Sequence, residues 1–107
     1  MGIGISPEKK ITEYTQLEIL LVILEQLKGD DFKILHDGHQ YSAGWGAEFA
    51  KQYLARNQSG IMDAAEWIQQ HTYRTSNGQI VYVIYQDGTQ EPLRDVLLNK
   101  LKKLSGI

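Results

Sequence analysis

Residues 32–41 read Phe-Lys-Ile-Leu-His-Asp-Gly-His-Gln-Tyr, and this stretch decides the fold class. Phe32 to His36 is strand-like. Asp37-Gly38 supplies a two-residue turn whose positions both need a positive φ, which Gly adopts freely and Asp tolerates. His39-Gln40-Tyr41 returns as the partner strand. The same signals recur downstream. Asn77-Gly78 marks a turn, and Gln79 to Gln86 is the best strand in the chain, because Ile80 to Tyr85 are all β-branched or aromatic. Its continuous apolarity predicts cover on both faces. Asp87-Gly88 repeats the hairpin signal before a short Thr89-Gln90-Glu91 strand. Tight turns join antiparallel strands, so residues 32–41 and 79–91 predict two hairpins in one antiparallel sheet.

Helices fill the rest. Ser6-Pro7-Glu8 reads as a helix start, and apolar residues recur at helical spacing from Ile11 through Tyr14, Leu17, Leu20, Leu21 and Leu24 to Leu27. Ile19, Val22 and Ile23 make this helix apolar on more than one side, which predicts a central position. Gly29 is the expected stop. Ser42 caps a second helix from about Ala43 to Asn57, with Trp45, Phe49, Tyr53 and Leu54 as its core-facing stripe. Asp63 and Glu66 open a short third helix from Ala64 to about Thr72. Pro92 starts the last, Leu93 to Leu104. The expected order is α-ββ-α-α-ββ-α, an α+β fold in one domain over residues 1–107, with residues 1–5 frayed. Leu20, Leu24, Trp67, Val83 and Leu97 are the expected core.

Composition narrows the function classes. The chain is long enough for one hydrophobic core and too short for two. It has no cysteine, which excludes disulfides, thiolate catalysis and zinc–thiolate sites. The formal net charge is -2, which argues against a nucleic-acid partner. Lys100, Lys102 and Lys103 cluster near the C-terminus, where cations favour the end of a helix. The most apolar run, Ile19 to Leu24, lies between Glu18 and Glu25 and is far shorter than the roughly 20 residues of a membrane span. No signal-peptide pattern precedes it, and the chain is expected to be a mature form.

One family resemblance is visible. Phe32, Ile34, Gly38, Tyr41-Ser42-Ala43, Ala47-Glu48, Ile61, Ala64, Trp67-Ile68, Gly78, Asp87-Gly88 and Pro92-Leu93 resemble the pattern of the YfeK-like family of short exported bacterial proteins. The chain departs from that pattern at Phe49, where the family tends to His, and at Ile80-Val81, where it tends to Pro-Tyr. The resemblance implies export to the periplasm or beyond and brings no activity. A chain without cysteine fits any compartment, the cytoplasm included.

Two groups of side chains are candidates for chemistry. His36 and His39 flank the first turn and should face each other across the hairpin, with Cβ atoms about 5 Å apart. Two imidazoles there could join Asp37, Glu48 or His71 around a transition metal. The simpler account is two exposed hairpin residues, so no bound metal or cofactor is expected. Glu48 is the one acid among the apolar positions of the second helix, where burial would raise its pKa for proton transfer. A solvated position is the simpler account. Together His36, His39 and Glu48 define the alternative reading, a small hydrolase or metal-dependent enzyme. The leading expectation is a non-enzymatic protein of the bacterial envelope or secretome that binds a protein partner. Its expected surface is aromatic: Tyr41, Trp45, Tyr53 and Tyr82.

Overall fold

The computed structural model describes residues 14–56 and 63–105. Its element order is α1 (Gln16–Lys28), β1 (Lys33–His36), β2 (His39–Ser42), α2 (Ala43–Arg56), α3 (Ala64–His71), β3 (Tyr82–Ile84), β4 (Gln90–Pro92) and α4 (Leu93–Ser105). The class is α+β in the expected order, with one antiparallel sheet of strand order β2-β1-β3-β4.

The expected first helix does not run through Tyr14 and Thr15, which precede α1. The start that the sequence predicts, Ser6-Pro7, lies outside the described residues. Within them the helix starts at Gln16, because Thr15 is extended (φ -71°, ψ 161°) and caps it. Thr15 Oγ1 accepts from the Glu18 N–H at 3.1 Å, and Glu18 Oε1 accepts from the Thr15 N–H at 2.9 Å. This reciprocal pair is a capping box, written in the sequence as Thr-Gln-Leu-Glu. α1 buries Ile19, Leu20, Val22, Ile23, Leu24 and Leu27, the central position that its apolarity predicted.

Asp37 and Gly38 have φ of 53° and 83°, so the first hairpin turns in two residues as expected. Its register pairs His36 with His39 and Ile34 with Tyr41. The second Asp-Gly turn is built differently. Among non-glycine residues only Asp37 has a positive φ in the described chain. The Gly88 N–H donates to Tyr85 O, and the Tyr85 N–H donates to Thr89 O. Gly88, at φ 88°, therefore closes a three-residue loop. The Asp87 carboxylate holds that loop by accepting from the Thr89 N–H at 2.9 Å and the Thr89 hydroxyl at 2.7 Å. These bonds lower its pKa.

The long strand expected at 79–86 is divided. Residues 79–81 fold back on 73–75: Thr75 N–H donates to Gln79 O and Val81 N–H to Tyr73 O. Only Tyr82–Ile84 joins the sheet, between β1 and β4. The expected double cover is corrected too. Val81 and Val83 are buried at 4% and 0% exposure, while Tyr82 and Ile84, pointing the other way, are half-buried. The register puts Tyr41, Ile34, Val83 and Glu91 in one row on the helix-covered face, and Gln40, Leu35, Tyr82 and Pro92 in a row on the opposite face.

The core clusters α1 with Leu54, Ile68, Val83 and Leu97. The five expected core residues, Leu20, Leu24, Trp67, Val83 and Leu97, are all buried. The stripe on α2 is the main correction. Trp45 and Phe49 are 48% and 51% exposed, and the buried residues of α2 are Ala43, Ala47 and Leu54. The reason is close approach. A Cβ on Gly46 would stand 2.4 Å from Ile34 Cδ1, so α2 lies on the sheet through its small residues and turns its large rings outward. No helix among the described residues is long and apolar enough to cross a membrane.

Candidate functional site: an aromatic ladder over a cavity

The exposed rings of α2 are ordered. Ser42 Oγ accepts from the Trp45 N–H at 3.0 Å and starts the helix directly after β2. Tyr41 at the end of β2 therefore meets the first turn of α2. Its ring stacks on Trp45 with centroids 4.0 Å apart and planes 13° from parallel. Trp45 stacks in turn on Phe49 at 5.4 Å and 16°. The spacing Trp45, Phe49, Tyr53 is i, i+4, i+8, which aligns side chains on one helix face. Tyr53 continues the row to α3, where its ring lies 6.2 Å from Trp67 and 5.3 Å from His71. The Tyr53 hydroxyl and His71 Nδ1 are hydrogen-bonded at 3.1 Å.

Below this ladder lies a cavity of about 450 Å³. Leu24, Leu27, Ile34, Val81 and Leu97 contribute its apolar wall, and Trp45, Phe49, Tyr53, Trp67, His71 and Arg74 are among its other lining residues. The hairpin at 73–81 forms one side. It is tied to the first hairpin by Asn77 Nδ2, which donates to the Asp37 carboxylate at 3.1 and 3.2 Å. Next to it, Tyr73 lies beneath the Arg94 guanidinium, 3.8 Å from the ring centroid.

The expected site residues are scattered over this frame. His36 and His39 face each other in register, as the turn required, and His36 also lines the cavity. Glu48 does not join them. It is exposed and lies 3.6 Å from Lys51 Nζ, which is held at 2.9 Å by Glu25 of α1. The hydrogen bond to Lys51 holds the Glu25 carboxyl below its ordinary pKa and raises that of Lys51. His71 lines the same cavity as His36 but is bonded to Tyr53. Among the described residues no three His, Asp or Glu side chains come together as a metal-holding group. Of the expected aromatic surface, Tyr41, Trp45 and Tyr53 fall on the ladder. Tyr82 does not, because the register sets it on the opposite face of the sheet. Phe49 belongs to the surface and not to the core-facing stripe that the sequence predicts. Its signal was the i+4 spacing between Trp45 and Tyr53.

A second polar cluster is structural. Lys100 Nζ meets the Asp30 carboxylate at 2.9 Å. Nearby the Tyr85 hydroxyl donates to Glu91, and its ring packs edge-on against Phe32. Burial, reinforced by Glu91, pushes the Tyr85 pKa up to about 12.

Comparison with known protein families, with curated proteins and with solved structures finds no match to this chain.

Proposed function

We propose that the protein is a non-enzymatic binding or accessory protein that engages a protein partner through the ladder Tyr41–Trp45–Phe49. One observation carries this reading: among the described residues Trp45 and Phe49 are the large hydrophobic residues left exposed, and they are stacked rather than scattered. Aromatic side chains dominate binding hot spots because each buries a large area while few rotatable bonds are frozen. Rings already stacked in the free protein lose still less freedom on binding. The resemblance to exported bacterial proteins supports a place in the envelope or beyond it.

The test is site-specific photo-crosslinking in the native organism. A photoreactive residue replaces Phe49 in one variant and Gln90, at the far edge of the sheet, in another. We expect a discrete protein adduct from position 49 alone. The partner, once purified, should bind Trp45→Ala about thirty-fold more weakly, as loss of an aromatic hot spot does. Equal adducts from both positions, or unchanged affinity in a folded Trp45→Ala protein, would sink the proposal.

A further inference from the structure

The cavity beneath the ladder has a chemistry of its own. Its volume, about 450 Å³, falls in the range of roughly 300–1,000 Å³ typical of small-molecule sites. Aliphatic side chains from α1, β1 and α4 form its depth. The polar residues that line it include His36, Tyr53, Trp67, His71 and Arg74, whose guanidinium also donates from Nη1 to Gly78 O at 2.8 Å, and there is no Asp or Glu among them. That is a selective arrangement in a chain with 13 acidic residues against 11 Lys and Arg. Four acids adjoin lining residues in sequence, Glu25, Asp37, Glu48 and Glu66, and each is engaged elsewhere: Glu25 and Glu48 with Lys51, Asp37 with Asn77, and Glu66 with Gln70. A second observation points the same way. Trp67 is 6% exposed, and its buried Nε1–H has no acceptor among the described residues. A wall with a donor to spare favours a ligand bearing acceptor oxygens.

We infer that this cavity binds a small amphiphile with an apolar tail and a single anionic head, of which a medium-chain carboxylate is the simplest member. The tail lies against Leu24, Leu27, Ile34 and Leu97. The head is held by Arg74, His36 and His71, the residues of the lining able to carry positive charge. This inference does not depend on a protein partner for the ladder.

Both tryptophans of the chain, Trp45 and Trp67, line the cavity, so intrinsic fluorescence reads it directly. The purified chain is titrated with octanoate, 1-octanol and octyltrimethylammonium, which share a tail and differ in head charge. We expect saturable binding of octanoate, about ten-fold tighter than 1-octanol, as a charge-assisted contact provides. The cationic probe should bind weakest. Arg74→Gln should remove most of the preference for octanoate and leave 1-octanol unchanged. Ala50→Phe, which adds a ring to the lining, should abolish binding of all three. No saturable signal, equal affinity for the three probes, or an octanoate preference that survives Arg74→Gln, His36→Gln and His71→Gln would each overturn the inference. If Ala50→Phe does not fold, the head-group comparison decides alone.

Discussion

Gly46 sets the orientation of α2. Its missing side chain is what lets the helix rest on Ile34, and a Cβ there would meet Ile34 Cδ1 at 2.4 Å. Ile34 is 4% exposed, so its Cδ1, the free end of the side chain, yields only by turning out of its packed position toward the cavity that it lines. Gly44, two residues earlier, meets nothing closer than the Lys28 carbonyl oxygen at 3.6 Å, an ordinary contact. The two glycines therefore separate propensity from packing. Replacing Gly by Ala inside a helix gains up to about 1 kcal/mol, whereas overfilling a packed site costs roughly 1–3 kcal/mol. Gly44→Ala should stabilise the protein, and Gly46→Ala should destabilise it by about 1 kcal/mol once the propensity gain is subtracted. Urea unfolding of both variants checks this. Two stabilised proteins would show that Ile34 moves aside and that Gly46 does not direct the helix.

At the scale of elements, the turns show how far local sequence reaches. Asp37-Gly38 and Asp87-Gly88 are the same dipeptide, yet one forms a two-residue turn and the other ends a three-residue loop. The difference comes from the pairing of the flanking strands, which a dipeptide does not encode. The loop after β3 is also tied across to β4, where Tyr85 donates to Glu91. That tie has a pH signature. The Tyr85 pKa rises from its ordinary 10.0 to about 12 through burial and Glu91, so the fold disfavours its ionised form. Its contribution to stability is complete below pH 10.0 and is lost as pH rises through about 12. Tyr85→Phe has no such titration. Between about pH 9 and about pH 11 the wild type should lose more unfolding free energy than Tyr85→Phe. Equal losses in parallel urea titrations would remove Tyr85 from the account of alkaline stability.

For the whole molecule, α1 is the element around which the rest assembles. Leu24 is 1% exposed and belongs both to the core and to the cavity wall. Leu24→Ala should cost roughly 2–5 kcal/mol, as large-to-small core changes do. A loss below about 1 kcal/mol in a denaturation titration would mean that the cavity collapses into the space vacated. Much of this architecture was legible in the chain itself. Turn residues, caps and hydrophobic period predict the helices apart from the start of α1, the hairpins, the antiparallel sheet and the core positions Leu20, Leu24, Trp67, Val83 and Leu97, because each is a local preference written within a few residues. The division of the 79–86 strand was not legible, since its first half pairs with residues 73–75 and only its second half with β1. Nor was the outward turn of Trp45 and Phe49. Periodicity shows that α2 has an aromatic face and a small-residue face, but both satisfy a helical repeat. Which one is buried depends on how close Ile34 and α1 come to the helix backbone. That distance is a property of the assembled tertiary structure, and with it came the ladder and the cavity beneath.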